Sequence, residues 1–273
     1  MNGTVFYKMT GSGNDFVMLD GRHTEPGTWT PERIAWVCDR RMGAGADGLI
    51  ILTPEGEGQV RMQFFNRDGS SGAMCGNGAL CSTRLASFLE LAPGEGMTLV
   101  TEAGLVASRC TGPGHLAEIR LPPFELPISV EIEAREGESA FFMATVGVPH
   151  LIVLTRDAMA VDVEHRGREL RSHPAVGPAG ANVNFVSAPT GGNGAPWLIR
   201  TYERGVEAET LACGTGTVAA GYAMEVAGLR GLPGEWLTSR GIRLGVAGSI
   251  EGGRSRDAWL LGEGRLVYTG VLS

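Results

Sequence analysis

An α+β fold built from two like halves is what the sequence predicts, and three observations carry that prediction. Cys75-Gly76-Asn77-Gly78 follows a run ending in Phe65-Asn66-Arg67, and Cys213-Gly214-Thr215-Gly216 follows one ending in Tyr202-Glu203-Arg204. Each tetrad opens an apolar stretch of helical length. Around both lie short apolar or alternating runs that read as strands, and like features recur about 135 to 140 residues apart. Two pseudo-symmetric domains follow, over residues 1–123 and 124–259, joined through the proline-rich segment from Pro122 to Pro127.

In the first half, Val5 to Met9 reads as a strand, Gly11-Ser12-Gly13 as a turn and Phe16 to Leu19 as a second strand, with Asn14 and Asp15 where the chain turns back. Thr30, with Pro31 at the first helical position, starts a helix to about Arg41 whose apolar face is Ile34, Val37 and Cys38. Gly43-Ala44-Gly45-Ala46-Asp47-Gly48 has the letters of a dinucleotide-binding loop in the wrong order of elements. It follows a helix and precedes the strand Leu49 to Leu52, so it reads as a glycine turn. Val60 to Phe65 is a strand. Cys75 to Leu91 is a helix apolar on nearly all sides, which other elements must wrap. Met97 to Val106 and Leu116 to Leu121 complete the half as strands.

The second half repeats the plan. Phe141 to Val146, the turn Gly147 to His150, and Leu151 to Leu154 match the opening. Phe185 to Ser187 and Trp197 to Tyr202 are strands, and Cys213 to Ala227 is a second central helix closed by Gly228. Strands near Ile242 to Val246 and Trp259 to Tyr268 end the chain.

Composition narrows the function. With 273 residues, 43% of them hydrophobic, the chain buries a sizeable core. Its net charge is -7 and its 23 basic residues are scattered, which speaks against a nucleic-acid partner. No run approaches the ~20 apolar residues of a membrane span, and the first residues lack a signal-peptide core. A cytoplasmic protein acting on a small molecule, with no membrane partner, is expected. Five cysteines without a CxxC pair argue against a disulfide framework and a structural zinc site, so no metal is expected. Lys8 is the single lysine and thus the one possible anchor for pyridoxal phosphate; no cofactor is expected. Cys38, Cys81 and Cys110 read as packing, and His23, His115, His165 and His173 as solvent-facing.

A thiol at a helix N-terminus is favoured as thiolate by the dipole and by unpaired N–H groups. Lowering a thiol pKa from ~8.5 to ~7 requires about 2 kcal/mol, whereas a helix end typically supplies ~0.3 to 1. Further groups must help, and His150 and Glu203, each ending a strand in the second half, are the candidates. The glycines Gly76, Gly78, Gly214 and Gly216 let backbone N–H groups approach an anion such as a carboxylate. Two thiols on opposite faces of the adjacent Cα would then exchange its proton and invert the centre. A lone Cys-Gly-X-Gly is more often a buried helix start than a site. Its recurrence favours function, because repeating a fold does not require repeating the thiol.

With GSGNDF at Gly11 to Phe16, GAGADG at Gly43 to Gly48, FNRDGSS before CGNG, VPH at Val148 to His150, NVNF at Asn182 to Phe185, and YERG before ETLACGTGT, the chain resembles the diaminopimelate epimerases over nearly its whole length. These are isomerases of lysine and peptidoglycan-precursor biosynthesis that work without pyridoxal phosphate. The resemblance implies two epimerase domains, each a mixed sheet rolled into a barrel-like layer around a central helix, the active site in the cleft between them, and the final strand, about 260–273, returning to the first. It implies Cys75 and Cys213 as the acid/base pair, His150 and Glu203 as their neighbours, and the backbones of Gly76, Asn77, Gly214 and Thr215 as holders of the reacting carboxylate. It further implies Asn14, Asn66, Asn182 and Arg204 at the far end of the substrate, and a homodimer. Departures from the common pattern are Val148, Gly48, Leu80, the pair Ser71-Gly72 and one extra residue in the loop after YERG; Val148 bears most on substrate identity. The alternatives are the same chemistry on another amino acid such as histidine, a non-catalytic amino-acid-binding protein, and a thiol-redox role.

Overall fold

The computed structural model describes residues 3–272 apart from 26, 113, 190, 192 and 193. The chain forms two compact units, Met1–Arg120 with Leu261–Ser273, and Leu121–Leu260. In order, the first stretch forms β1 (Thr4–Gly11), β2 (Asn14–Asp20), α1 (Pro31–Cys38), β3 (Gly48–Gly56), β4 (Gln59–Asn66), the short β5 (Ser71–Gly72), α2 (Gly76–Phe88), β6 (Met97–Thr101), β7 (Gly104–Cys110) and β8 (Leu116–Arg120). The second forms β9 (Ile128–Ser129), β10 (Glu138–Val146), β11 (Val148–Thr155), α3 (Val163–Arg171), β12 (Asn182–Ser187), β13 (Trp197–Glu203), β14 (Ala208–Thr210), α4 (Gly214–Val226), β15 (Gly234–Thr238) and β16 (Arg243–Glu251). β17 (Arg254–Glu263) carries the chain over the division, and β18 (Arg265–Leu272) ends it. This is a mixed-sheet α+β architecture with few helices.

Pairing repeats between the units. β1 and β2 are antiparallel, β2 and β3 parallel, β3 and β4 antiparallel, β4 and β6 parallel, β6 and β7 antiparallel. β10, β11, β12, β13, β15 and β16 follow the same sequence of senses. In the first unit β18 adds to β1 as an antiparallel edge.

Burial explains the layers. Val17, Leu19, Leu49 and Ile51 pack with Ile34, Val37 and Cys38 of α1 in one cluster. The intervening Phe16, Met18, Ile50 and Leu52 are equally buried, and α2 lies against β1 to β4, β6 to β8 and β18. Strands buried on both faces read as continuous apolar runs, and a sheet that touches one helix from so many strands is rolled around it. In the second unit Leu151, Val153, Val183 and Phe185 pack with Val163 and Leu170 of α3, while α4 lies against β10, β11, β12 and β16. Among the described residues no helix is long and apolar enough to cross a membrane.

The elements depart from expectation in several places. α1 stops at Cys38 because Asp39 leaves helical geometry and its carboxylate accepts the N–H groups of Arg41 and Met42. α2 stops at Phe88, two residues before Glu90 takes a positive φ of 56°. Met97 to Val106 is a hairpin of β6 and β7. The turn before β11 is Gly147 alone, at φ 70°, so Val148, Pro149 and His150 lie inside a strand. α3 is an unexpected helix: of its nine residues only Val163, Arg166, Gly167 and Leu170 are buried, which leaves a thin apolar signal. β15 is likewise unexpected. The last apolar run is two strands divided at Gly264, where a Cβ would lie 2.6 Å from the Leu80 carbonyl.

Gly167 marks where α3 presses on β13: a Cβ there would overlap Tyr202 Cβ and lie 2.6 Å from its Cγ. Tyr202 is fully buried. Alanine improves helix propensity by about 1 kcal/mol, but overpacking costs about 1 to 3 or more. Gly167→Ala is therefore expected to lower stability in urea unfolding; a gain would show that α3 has room.

Candidate active site

In the first unit Cys75 is the N-cap of α2, with extended backbone (φ -134°, ψ 121°). Its Sγ accepts the N–H of Gly78 at 3.5 Å, so the sulfur stands where a serine or aspartate oxygen caps other helices. Asn77, buried in the first turn, donates from Nδ2 to Asn14 Oδ1 at 2.8 Å and to the Ser12 carbonyl at 3.4 Å. Asn14 Nδ2 donates to Asp47 Oδ2 at 3.0 Å. Because a carboxylate only accepts, Asp47 fixes which way the Asn14 amide points.

Asp47 is held in turn. Arg40 Nη2 donates to Asp47 Oδ1 at 2.8 Å and to Asp15 Oδ1 at 2.7 Å, and its Nη1 to Asp15 Oδ2 at 3.0 Å. Lys8 Nζ lies 2.7 Å from Asp15 Oδ2 and donates to the Gly45 carbonyl. The single lysine is thus buried in an ion network, and the GAGADG segment is the turn that supplies Gly45 and Asp47 to it. Burial pushes the Asp15 carboxyl up, but Arg40 and Lys8 outweigh it and hold it at about 2. Asn66 stands apart from this group, exposed at the end of β4 and donating from Nδ2 to Ser70 Oγ at 3.0 Å.

In the second unit Cys213 takes the same place and pose at α4 (φ -124°, ψ 107°). Thr215 Oγ1 lies 3.7 Å from its Sγ and 3.1 Å from His150 Nε2. His150 is fully buried in β11. Burial pushes its pKa down to about 3; the Val146 carbonyl opposes this and the Arg204 charge adds to it. The ring is therefore a neutral imidazole at physiological pH. Asn184 of β12 lies on its other side, Nδ2 to His150 Nδ1 at 3.3 Å.

Asn182 Oδ1 accepts the backbone N–H of Arg204 at 2.8 Å, and Arg204 Nη1 donates to the carbonyls of Ala179 at 3.0 Å and Gly180 at 3.3 Å. Burial pushes the Glu203 carboxyl up. The Thr210 hydroxyl lies beside it, close enough to ease that shift yet outside hydrogen-bond geometry.

A Cβ on Gly78 would lie 2.9 Å from Ile50 Cδ1, and one on Gly216 would overlap Asn184 Oδ1. Packing rather than approach to an anion demands glycine at both, and at Gly214 as well, where a Cβ would lie 2.5 Å from Leu260 Cδ2; Gly76 is half-buried at the first position of α2. Burial keeps two of the other thiols protonated, pushing Cys38 up to about 11 and Cys81 far above the usual thiol range.

The sequence pattern of the diaminopimelate epimerase family matches residues 6–120 and 142–231, which include both tetrads. The diaminopimelate epimerase of Gemmatimonas aurantiaca is 44% identical over 282 residues, 98% of this chain and 99% of its own length. The chain belongs to the diaminopimelate epimerase family. The diaminopimelate epimerase of Aquifex aeolicus is 35% identical over 278 residues, 98% of this chain and 97% of its own. Among solved structures, a Bacillus anthracis phenazine biosynthesis protein of the PhzF family covers 100% of both chains with a TM-score of 0.75 at 12% identity. A hydroxyproline epimerase from Agrobacterium vitis with bound trans-4-OH-L-proline covers 100% of this chain and 91% of its own, with a TM-score of 0.63 at 18% identity. At such identities the likeness is one of fold.

Two residues of these clusters escape sequence reasoning: Asp47, hidden in a glycine turn, and Asn184, the second asparagine of NVNF. Only their place inside quoted motifs marked them.

Asp15 sets a pH test. Its folded pKa of about 2 lies below the ordinary 3.8, so its stabilisation is whole above about pH 4 and is lost as pH falls through about 2. The shift corresponds to about 2 kcal/mol. Asp15→Asn is expected to be less stable than wild type by that order near neutrality, with the gap in urea unfolding closing between about pH 4 and 2; a pH-independent gap would refute the ion-network account.

Proposed function

We propose that the chain interconverts LL-2,6-diaminopimelate and meso-diaminopimelate in the synthesis of lysine and peptidoglycan precursors, by proton exchange at one Cα between Cys75 and Cys213. The observation that carries this reading is the shared pose of the two thiols, each the extended N-cap of a 13-residue buried helix in a family member. One thiolate removes the Cα proton, and the developing charge passes into the adjacent carboxylate. The N–H groups of Gly76, Asn77, Gly214 and Thr215 hold that carboxylate and favour its extra charge. The opposite thiol donates its proton to the other face. The first thiol ends protonated and the second ends as thiolate, which is the starting state for the reverse reaction.

The neighbours supply what a helix end lacks. The Gly78 N–H at Cys75 and the Thr215 hydroxyl at Cys213 each offer a donor to sulfur. Glu203, made more basic by burial, and His150 serve as partners to the thiol chemistry. Asn14, Asn66, Asn182 and Arg204 take the far amino-acid end, Arg204 pairing with its carboxylate. At the family's departures, Val148 offers no polar group, and a side chain at Gly48 would meet the Phe65 carbonyl at 2.6 Å and Phe64 Cε2 at 2.8 Å. Selectivity for diaminopimelate therefore rests on the asparagines and Arg204. The cytoplasm is the proposed location. A homodimer is the proposed assembly, for which Val5 and Val271, paired across β1 and β18 and both exposed, offer an apolar surface.

Incubation of the protein with LL-diaminopimelate in deuterated water is expected to yield meso product carrying α-deuterium; absence of both sinks the proposal. Cys75→Ala and Cys213→Ala are each expected to lower turnover at least about a hundredfold, as loss of an acid or base does. Racemisation of another amino acid in preference would reassign the substrate and keep the chemistry.

A further inference from the structure

Asn184 is a buried residue of the second unit for which the epimerase reading has no use, yet its amide is hydrogen-bonded through both nitrogen and oxygen. Nδ2 donates to the Leu151 carbonyl at 3.2 Å, and Oδ1 accepts from Thr201 Oγ1 at 2.9 Å. A carbonyl only accepts, so the first bond fixes the orientation of the amide. The second N–H of the same nitrogen then points at His150 Nδ1, 3.3 Å away. A nitrogen that accepts carries no proton, so by this bond a neutral His150 bears its hydrogen on Nε2; the Val146 carbonyl, which favours a protonated ring, is the group that competes with Asn184 for the tautomer. That hydrogen faces Thr215 Oγ1 at 3.1 Å. Having accepted it, the hydroxyl has its own hydrogen to give, and Cys213 Sγ lies 3.7 Å away.

We propose that Asn184 is a positioning residue for the acid/base chemistry: it locks His150 as the Nε2–H tautomer, and His150 thereby turns the Thr215 hydroxyl towards the sulfur of Cys213. Thr215 acts on the sulfur through its side chain, in addition to any use of its backbone N–H. Neutrality of the ring agrees with its complete burial. Gly216 belongs to the same device, because any Cβ there would strike Asn184 Oδ1 and disturb the amide. The catalytic meaning of this chain of bonds rests on Cys213 being one of the two acid/base thiols; the bonds themselves do not.

Two measurements on the full chain decide it, and neither uses substrate. In protein labelled with 15N-histidine, with His150 assigned by its loss in His150→Gln, long-range proton–nitrogen correlations near neutral pH are expected to show a pyridine-like Nδ1 and a pyrrole-like Nε2. The reverse pattern, or two pyrrole-like nitrogens, overturns the proposal. The second readout is the pH midpoint of iodoacetamide alkylation at Cys213, followed on its own peptide by mass spectrometry. Thr215→Val is expected to raise that midpoint by about one pH unit, the effect of a lost charge-assisted hydrogen bond, and Thr215→Ser to restore it. Asn184→Asp, whose carboxylate only accepts, is expected to move the ring proton to Nδ1 and raise the midpoint as well. If that variant fails to fold, the wild-type spectrum and the threonine pair still decide. An unchanged midpoint in Thr215→Val overturns the proposal even where diaminopimelate is epimerised, whereas failure to epimerise it leaves both readouts intact.

Discussion

A helix buried along its length has only its ends to offer, and that constraint shapes each half of this protein. α2 and α4 are enclosed by strands, and their first turns carry N–H groups that no residue of the helix can satisfy. A cysteine in extended geometry caps each helix. The sheet must roll to cover the apolar helix, and the roll brings the ends of β1, β2 and β4 or of β11, β12 and β13 to the rim where that helix starts. Asn14, His150, Asn182 and Glu203 all sit at or near such strand ends. Fold and candidate site are thus consequences of one packing problem.

The sequence disclosed this plan where chemistry and apolar pattern coincide. The recurring tetrads located both central helices to within a few residues, because enclosure on all sides leaves an apolar stretch that no amphipathic surface helix has. α3 stayed hidden because it lies on the outside of its sheet and buries few of its residues. His150 read as part of a turn because Gly147 and Pro149 flank Val148 two residues earlier; the chain in fact reverses on Gly147 alone. The partners of the site residues were the least legible. Asp47 belongs to a turn 33 residues from Asn14, and Asn184 to a strand 34 residues from His150. Such pairs are set by strand register, β2 beside β3 and β11 beside β12, which no local pattern encodes.

The two halves solve the same orientation problem with different means. An amide can turn over at little cost unless one neighbour can only accept or only donate. In the first unit that neighbour is the Asp47 carboxylate, itself anchored through Arg40 and Asp15 to Lys8. In the second it is the Leu151 carbonyl, part of the strand that carries His150. The charged solution suits Arg40 and Asp47, whose partial exposure lets their ion pair retain hydration while the network reaches inward to the buried Lys8. The neutral one suits the interior, where an ionised network would meet a large desolvation penalty.

The sulfurs inherit this difference. Cys75 receives a backbone N–H whose direction the helix dictates, and Cys213 faces a hydroxyl that is free to rotate unless something orders it. In a two-thiol exchange each sulfur is thiolate in one direction of the reaction and thiol in the other. A donor at one sulfur alone would favour the state in which that sulfur is charged, and would slow departure from it. Comparable donors at both keep the two protonation states close in free energy, which a reversible epimerisation requires. A backbone N–H contributes to this at Cys75 by geometry alone, and at Cys213 the Thr215 hydroxyl contributes with a buried imidazole and a fixed amide standing behind it.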